Sequence, residues 1–407
     1  MVRHPDAPVT APRRLVRWLS APLPAPPERL RRGPLRPGSF PSGSRSARLT
    51  SQLGLALAVA FGICFGTGLL SHLIQHPPGW FWWPARPVGL YRVTQGLHVA
   101  TGLASVPLLG AKLWSVFPRL FTWPPVRSIA HAAERAGIAV LVAASLFQLV
   151  SGVLNVAHWY APMPFFFTSG HYWVAWLTVG ALLVHVGVQL PVVRDALRRG
   201  VPELRPVRAD RRRLLAGVGA AAGLITLTTI GQTVRPLSGL AVFAPRRPTT
   251  GPQGLPVNKT AVAAGVAATD GDAYRLTVIG PAGPVELDLA ALNAMPQHTA
   301  DLPITCVEGW SADGSWSGVR LADLVRLAGG DPHRATVLVE SLERGGRYRT
   351  STVAAPHTRD PSTLLALRLH GEPLHPDHGY PARLIAPNRP GVLQTKWVAR
   401  ITVREEA

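Results

Sequence analysis

The fold of the C-terminal part is decided by residues 305–311, which read Thr-Cys-Val-Glu-Gly-Trp-Ser. This polar stretch follows a short extended run, Leu302–Ile304. The chain has one other cysteine, Cys64, and it lies inside an apolar helix candidate, so no disulfide to Cys306 is expected. Two interpretations of Cys306 stay open at this point. It is either a buried, inert thiol, or a thiolate that serves as a nucleophile or a soft-metal ligand.

Further motifs follow this stretch in order along the chain. They are Gly371–Leu374 (Gly-Glu-Pro-Leu), His378–Leu384 (His-Gly-Tyr-Pro-Ala-Arg-Leu), Lys396-Trp397 and a closing strand, Ala399–Val403. Together with Cys-Val-Glu-Gly-Trp-Ser they resemble the molybdopterin-binding domain of the sulfite oxidase superfamily. The branch that contains the bacterial periplasmic methionine sulfoxide reductase catalytic subunit is the most similar. The resemblance covers residues 265–404.

The resemblance implies a cofactor and a reaction. In this family, molybdenum is held by the dithiolene of one molybdopterin and by one protein cysteine, a role that falls to Cys306. The implied reaction is two-electron oxo-atom transfer at molybdenum, which cycles between its +6 and +4 states and is coupled to one-electron transfers. Further cofactor contacts are implied at Arg383 and Lys396 (the pterin phosphate), at Gln394 and Thr395 (the adjacent loop), at His378 (where the family has asparagine) and at Ser341 (where it has threonine).

Four more residues have two interpretations each. Glu308 and Trp310 flank the metal ligand and either shape a substrate funnel or are purely structural. Arg389 and His357 either face an anionic substrate or serve only the fold.

Composition points to a membrane protein. The chain has 407 residues, of which 47% are hydrophobic and only 16% charged, and its formal net charge is +20. Such a charge is also found in nucleic-acid-binding proteins. Here the arginines concentrate at the N-terminus and at residues 194–213, beside apolar segments, which the positive-inside rule explains better. Nucleic acid is therefore not an expected partner.

Five segments are predicted along the chain. They are a disordered basic tail (1–48), a four-helix transmembrane, cytochrome b-like domain (49–195), a twin-arginine-like segment with a fifth membrane span (196–235), a linker (236–270) and the molybdopterin-binding oxidoreductase domain (271–407). The four apolar runs of the second segment are Leu53–Leu73, Val93–Val116, Ile138–Val156 and Trp173–Val193. Each is long enough to cross a bilayer core, which takes about 20 residues.

The fifth run, Leu214–Ile230, follows three arginines, Arg211–Arg213. It is either an internal twin-arginine export signal kept as an anchor, or an ordinary fifth helix with positive flanks. Arginines also occupy the connection 118–135, whereas the connections 75–92 and 157–171 carry only two. The N-terminus is therefore expected inside, and after five spans the C-terminal domain lies outside. Without the fifth span that domain would be cytoplasmic.

After the linker, the hydrophobic pattern changes to short alternating runs. Examples are Tyr274–Ile279, Pro284–Leu289 and Thr336–Leu342, with one short helical pattern at Leu321–Leu327. Turn residues separate them. The predicted fold is therefore multi-domain: an all-α transmembrane bundle of four or five helices, followed by an α+β sulfite-oxidase-type domain.

Histidines within the apolar runs predict a haem site. Ionisable residues in membrane spans are costly and usually functional. His98 in the second run and His171 at the start of the fourth are expected at matching depth, as the two axial ligands of a b-type haem require. The arrangement resembles the four-helix cytochrome b subunits of bacterial formate dehydrogenases and hydrogenases, whose fourth helix carries two histidines 14 apart. His185 has that spacing, but the first run offers no histidine for a second haem.

The sequence thus predicts a multi-pass cell-membrane oxidoreductase with an extracytoplasmic molybdopterin domain. Its substrate is a small-molecule oxo donor or acceptor, and a membrane haem b passes electrons to or from a quinone or a membrane redox partner. Two alternatives stay open. One is a molybdoenzyme whose helices are only a haem-free anchor, and the other is a membrane receptor or scaffold without cofactor.

Overall fold

A computed structural model describes residues 25–36, 38–42, 45–198, 205–244, 246–247, 249–266 and 271–405. The chain divides into two compact units. The first comprises residues 1–58, 107–148 and 173–219, and the second comprises 59–106, 149–172 and 220–407. The expected disordered tail lies largely outside the described residues, but its described part contains one helical turn, α1 (Glu28–Arg32).

Five long helices follow. They are α2 (Ala47–Gln75), α3 (Leu90–Val116), α4 (Ile129–Val156), α5 (Phe167–Arg198) and α6 (Arg205–Ile230). Because the chain passes back and forth between the units, each helix has one end in the second unit. That end is called the domain end below.

These five helices are each long and apolar enough to cross a membrane, by length and composition. Each exceeds its predicted apolar run, because helical turns continue into the polar flanks that hydropathy excludes. Two prolines lie inside helices, Pro107 in α3 and Pro191 in α5. Interior prolines are tolerated in membrane helices, where neighbouring groups satisfy the freed carbonyls.

The C-terminal domain contains ten strands and three short helices. They are β1 (Arg275–Gly280), β2 (Gly283–Asp288), α7 (Leu289–Ala294), β3 (His298–Thr305), β4 (Ser311–Arg320), α8 (Leu321–Leu327), β5 (Ala335–Ser341), β6 (Thr350–Val353), α9 (Ala355–Thr358), β7 (Leu364–Leu369), β8 (Glu372–Pro373), β9 (Arg383–Ile385) and β10 (Val398–Glu405). One sheet has the order β2-β1-β10-β5-β6, and the other has β3-β4-β7-β8 with β9 also paired to β7.

The predicted α+β domain with mixed strands is confirmed. β1 pairs with β10 in parallel, while the other strand pairs are antiparallel. The first sheet and α8 enclose a core of fully buried aliphatic side chains, among them Leu276, Leu324 and Val339. The alternation of apolar and polar residues along β1 and β5 places one face of each strand in this core.

The second sheet builds a separate apolar cluster around Trp316, which is fully buried. Leu302, Ile304 and Cys306 belong to the same cluster. The end of β3 and the turn after it are therefore part of a packed core, which fixes where the Cys306 sulfur lies.

Replacement of Leu324 by alanine tests the first core. Leu324 is 0% exposed, so Leu324→Ala should lower the free energy of unfolding of the domain by about 2–5 kcal/mol. Leu327→Ala is the matched control on the same helix, because Leu327 is 43% exposed and should change stability little. Chemical denaturation of both variants measures the difference, and equal losses would contradict this packing.

Candidate functional site

The 305–311 stretch forms the hairpin turn between β3 and β4. Thr305 and Ser311 close the hairpin as a strand pair, and their hydroxyl oxygens lie 2.9 Å apart. Inside it, the Cys306 N–H donates to the Trp310 carbonyl at 2.9 Å, and the Gly309 N–H donates to the Cys306 carbonyl at 3.1 Å. Gly309 has φ of +95°, a left-handed conformation that favours glycine. The motif thus encodes a tight turn with Cys306 at its start.

The Cys306 thiol is buried and has one polar neighbour from outside the turn. The Asn258 amide N–H donates to the sulfur at 3.1 Å, and the Arg246 guanidinium donates to the Asn258 amide oxygen at 3.1 Å. Arg246 thereby fixes which side of the amide faces the sulfur. Burial raises the pKa of the Cys306 thiol far above its ordinary value, and the Glu308 carboxylate raises it further. A protonated thiol is a poor nucleophile, whereas a bound metal deprotonates it outright.

A second polar group of the turn is the buried carboxyl of Glu308. Its Oε1 accepts a hydrogen bond from the Tyr160 hydroxyl at 3.3 Å and lies 3.5 Å from His158 Nε2. The indole N–H of Trp310 donates to Oε2 at 3.3 Å. Burial raises the pKa of Glu308, and the neighbouring His158 opposes that shift. The connection after α4 thus contributes directly to the surroundings of Cys306.

A cradle of two cations forms where β9 and the segment before β10 meet. An added Cβ at Gly379, whose φ is +109°, would lie 3.1 Å from Lys396 and 3.3 Å from Arg383, so glycine permits this close approach. Arg383 is 3% exposed, and its guanidinium lies 5.4 Å above the ring of Trp316, which packs in the cluster of Cys306.

Hydrogen bonds of both cations go to backbone carbonyls, although Asp377 and Glu343 are near enough to raise the pKa of Lys396. Arg383 Nη1 donates to the His378 carbonyl at 3.2 Å, while its buried Nε has no hydrogen-bond acceptor among the described residues. Lys396 Nζ donates to the carbonyls of Lys259 (2.8 Å) and Asp377 (2.7 Å). In the described part of the chain, neither side chain forms an ion pair with a carboxylate. Burial lowers the pKa of Arg383 to about 9 and that of Lys396 to about 7. A cradle of this kind attracts an anion with several acceptor oxygens.

The other four predicted cofactor contacts surround this cradle. Ser341 donates from its hydroxyl to the Lys396 carbonyl at 2.7 Å. The His378 ring bonds the Pro252 carbonyl through Nε2 at 2.7 Å. Gln394 accepts from the Ala386 N–H, and the Thr395 hydroxyl lies 2.7 Å from that of Ser351. These bonds position the loop, and direct contacts of the four side chains to a cofactor stay predictions.

Arg389 and His357 lie close enough together to interact electrostatically. The Arg389 guanidinium donates twice to the Thr352 carbonyl at 3.0 Å and once to the Leu393 carbonyl, and its Nε has no acceptor among the described residues. Burial, with a smaller contribution from Arg389, lowers the pKa of His357 to about 3, so this imidazole is neutral at physiological pH. These contacts favour the structural interpretation of both residues.

The segment predicted as a linker is part of the site. Besides Asn258, three of its backbone groups bind the domain: the Pro252 and Lys259 carbonyls accept from His378 and Lys396, and the Ala261 N–H donates to Asp377. Its side chains also take part, because Lys259 forms an ion pair with Glu343. The linker predicted at 236–270 thus has a part that contacts the C-terminal domain. Sequence inspection missed Asn258 because a Pro/Gly/Ala-rich segment shows no periodicity that would mark it as ordered.

The two histidines predicted to bind haem lie side by side at the domain ends of their helices. Their ring centroids are 6.3 Å apart and their planes are inclined by 74°. His98 Nδ1 lies 2.8 Å from the Cys64 carbonyl, and His171 Nδ1 lies 3.1 Å from the Ser151 hydroxyl. Of the remaining histidines, His72 stacks on Tyr172 at 3.8 Å.

Comparison with known proteins identifies the class of the C-terminal domain. Residues 263–407 match the profile of the oxidoreductase molybdopterin binding domain. Mitochondrial sulfite oxidase of Rattus norvegicus is 29% identical over 167 residues, which are 34% of this chain and 30% of that protein. The protein-methionine-sulfoxide reductase catalytic subunit of Gluconobacter oxydans is 34% identical over 132 residues, 29% of this chain and 42% of its own. The uncharacterised oxidoreductase YuiH of Bacillus subtilis is 32% identical over 124 residues, 30% and 61% of the two chains.

The chain thus spans less than two thirds of the length of these relatives. Its residues 263–407 resemble the molybdopterin-binding oxidoreductases of the sulfite oxidase superfamily. The resemblance inferred from the Cys306 motif is confirmed at this level.

The pKa of Lys396 predicts a pH-dependent stability of cofactor-free protein. In the unfolded chain this group keeps its proton up to its ordinary pKa of 10.5, and in the folded chain only up to about 7. Between these values the unfolded state binds more protons, so the free energy of unfolding should rise with pH. Arg383 and Lys259 lower the folded-state pKa, whereas Asp377 and Glu343 raise it.

Lys396→Met should flatten this rise. Chemical denaturation of both proteins at pH 6.5 and pH 9 measures it, on protein from cells that cannot make molybdopterin. An unchanged pH dependence in the variant would contradict the assignment.

Proposed function

We propose that this protein is a membrane-anchored, molybdopterin-dependent oxidoreductase in which Cys306 ligates molybdenum. The observation that carries the proposal is a buried thiol in the same domain as a cradle of two cations, neither of which forms an ion pair with a carboxylate among the described residues. The remaining ligands would come from the dithiolene of the pterin. In the described part of the chain, no group of three or more His, Cys, Asp or Glu residues is placed to hold a metal ion.

The residues present fit this cofactor on chemical grounds. A thiolate suits a soft metal, and the Asn258 N–H stabilises negative charge on the sulfur. Arg383 and Lys396 would hold the pterin phosphate, whose charge offsets the cost of burying both cations. Ser341, through the Lys396 carbonyl, keeps the lysine in place. When bound, the cofactor supplies two-electron oxo-atom transfer between the +6 and +4 states of molybdenum.

Membrane anchoring is supported by the five long apolar helices. The opposite end of each helix, away from the domain end, lies next to an arginine-rich connection. The positive-inside rule therefore puts those opposite ends in the cytoplasm. The molybdopterin domain then lies on the extracytoplasmic side of the cell membrane. We also propose that Arg211–Arg213, in the first half of α6, act as a twin-arginine export signal. A domain that folds and binds its cofactor before export would need such a route.

A b-type haem between His98 and His171 is the second part of the proposal. Their ring centroids lie 6.3 Å apart, so the two imidazoles are close enough to hold one haem between them. Each Nδ1 has a carbonyl or hydroxyl partner, the arrangement by which metal-ligating histidines direct Nε2 to the metal.

Gly68 makes room for the His98 ring, and Gly152 lies within ordinary contact distance of the His171 ring. A Cβ at Gly68 would lie 2.8 Å from the His98 ring, and one at Gly152 would lie 3.7 Å from the His171 ring. The haem would pass electrons between the molybdenum site and a quinone or a membrane redox partner. Two relatives are named for reactions at sulfur–oxygen bonds, so sulfite and sulfoxides are the first substrates to test among small oxo donors and acceptors.

Metal analysis of Cys306→Ala tests the molybdenum site. Wild-type protein, purified in detergent from cells competent to make molybdopterin, should contain about one molybdenum per chain, and the variant should lose the metal or all oxo-transfer activity. Cys64→Ala is the matched control and should keep its molybdenum. Wild-type protein without molybdenum would contradict the proposal and favour the alternative of a receptor or scaffold.

Difference spectra test the haem. His98→Ala and His171→Ala should each abolish the dithionite-reduced haem band, because a b-type haem needs both axial imidazoles. His185→Ala should keep the band, since no second histidine is expected opposite it. A wild-type protein that contains molybdenum but shows no haem band would establish the alternative of a haem-free anchor.

A further inference from the structure

The Cys306 turn rests directly on helix α3, one residue away from a proposed haem ligand. Gln95 Nε2 donates to the Val307 carbonyl at 2.7 Å. An added Cβ at Gly309 would lie 2.7 Å from Val99 Cγ2, so the backbone of the turn is in van der Waals contact with that side chain. Gln95 and Val99 are four residues apart and therefore share one face of α3. His98 lies between them in the sequence.

This contact gives a short path between the two proposed cofactor sites. From His98 the path follows the peptide bond to Val99, crosses one van der Waals contact to Gly309, and follows the Gly309 N–H hydrogen bond, 3.1 Å long, to the Cys306 carbonyl. The path contains a single through-space step. Thr233 also holds the same glycine, because its hydroxyl donates to the Gly309 carbonyl at 3.1 Å.

Hydrogen bonds of buried polar groups also attach the C-terminal domain to the start of α3 and to the connection before it. Asn388 is the centre of one set: its carbonyl accepts from the Trp83 indole at 2.8 Å, its amide oxygen accepts from the Tyr91 N–H at 2.7 Å, and its amide N–H donates to the Pro84 carbonyl at 2.7 Å. Groups that are bonded in this way when buried are costly to separate, because each would be left unsatisfied.

Two arginines reinforce this attachment close to the hairpin. Arg86 forms a two-bonded ion pair with the buried carboxylate of Asp360, at 3.0 and 3.2 Å. Arg92 Nε donates to the Ser311 hydroxyl at 2.8 Å, and its guanidinium also pairs with Asp313. Ser311 closes the hairpin itself, so the residues around Cys306 cannot move away from α3 without breaking this bond.

We infer that electrons cross between the haem and the molybdenum site within one chain through this fixed contact, without any movement of the domain. Gln95, Val99 and Gly309 act as positioning residues. With both cofactors bound, each crossing would oxidise one of them by one electron and reduce the other by one electron. Two crossings would match one oxo transfer. The inference rests on the proposed function.

The test compares Val99→Ala with Val93→Ala in the complete protein carrying both cofactors. Val99 is 7% exposed, whereas Val93, on the same helix, is 64% exposed. Flash photoreduction of the haem, followed at its absorption band, gives the rate of electron transfer to the molybdenum site. In wild type this rate should not change with added glycerol. Val99→Ala should slow it severalfold, with molybdenum and haem contents unchanged, while Val93→Ala should match wild type.

A rate that falls with viscosity in wild type, or equal rates in the two variants, would overturn the inference and leave the proposed function intact. Wild-type protein without molybdenum would overturn both. Protein with molybdenum but no haem would overturn this inference and the haem part of the proposed function, and metal analysis with a visible spectrum distinguishes these cases.

A second measurement needs neither cofactor. In cofactor-free protein, the amides of Cys306 and Gly309 should be protected from hydrogen exchange, because both donate hydrogen bonds within the turn. Gln95→Leu should increase their exchange, since it leaves the Val307 carbonyl without its donor. Thr94→Val is the control, because the Thr94 hydroxyl bonds the Tyr91 carbonyl of its own helix. Fast exchange of these amides in wild type would refute a fixed contact.

Discussion

The hairpin turn that begins at Cys306 is the constraint on which the rest of the site depends. Its backbone closes through two hydrogen bonds and one glycine with positive φ. One side of the turn packs into the cluster of Trp316, and the other side rests on α3. Because the second sheet and the helix ends both contact these few residues, the position of the sulfur is determined by the packing of both parts.

The positive charge of the site comes from Arg383 and Lys396, whose hydrogen bonds go to backbone carbonyls. Most buried cations in proteins are neutralised by carboxylates, because isolated charges are expensive to remove from water. Arg383 instead has a backbone carbonyl and an aromatic face, and Lys396 has two carbonyls. These partners stabilise the cations only in part, and the lowered pKa values express the remaining cost. A bound phosphate, as proposed, would relieve that cost, so affinity for the anion and instability without it would have the same origin.

The sequence was most informative where local pattern alone determines structure. Leu321–Leu327 is helical at the predicted residues, and the strand predicted at Tyr274–Ile279 is displaced by one position. The long helices were found but shortened, since hydropathy registers the apolar stretch and not the polar turns that continue it. The motif around Cys306 identified the family because several residue types recur there in order.

What the sequence could not supply are contacts between distant segments. The bond from Gln95 to Val307 joins residues 212 positions apart, and Asn258 reaches Cys306 from a segment without periodicity. Neither glutamine nor asparagine is unusual in its local context, and their partners are a backbone carbonyl and a sulfur that only the folded chain brings near. Tyr160, from the connection after α4, was overlooked for the same reason.

The segment 252–261 affects where the folded C-terminal domain begins along the chain. The match to the family model starts at residue 263, which suggests a natural point of excision. A fragment cut there would lose the amide that faces the Cys306 sulfur, the carbonyl that holds the Lys396 ammonium and the acceptor of the His378 ring. A fragment that keeps this site intact must therefore begin before the start of the family match. Its N-terminal limit is determined by these hydrogen bonds and not by sequence similarity.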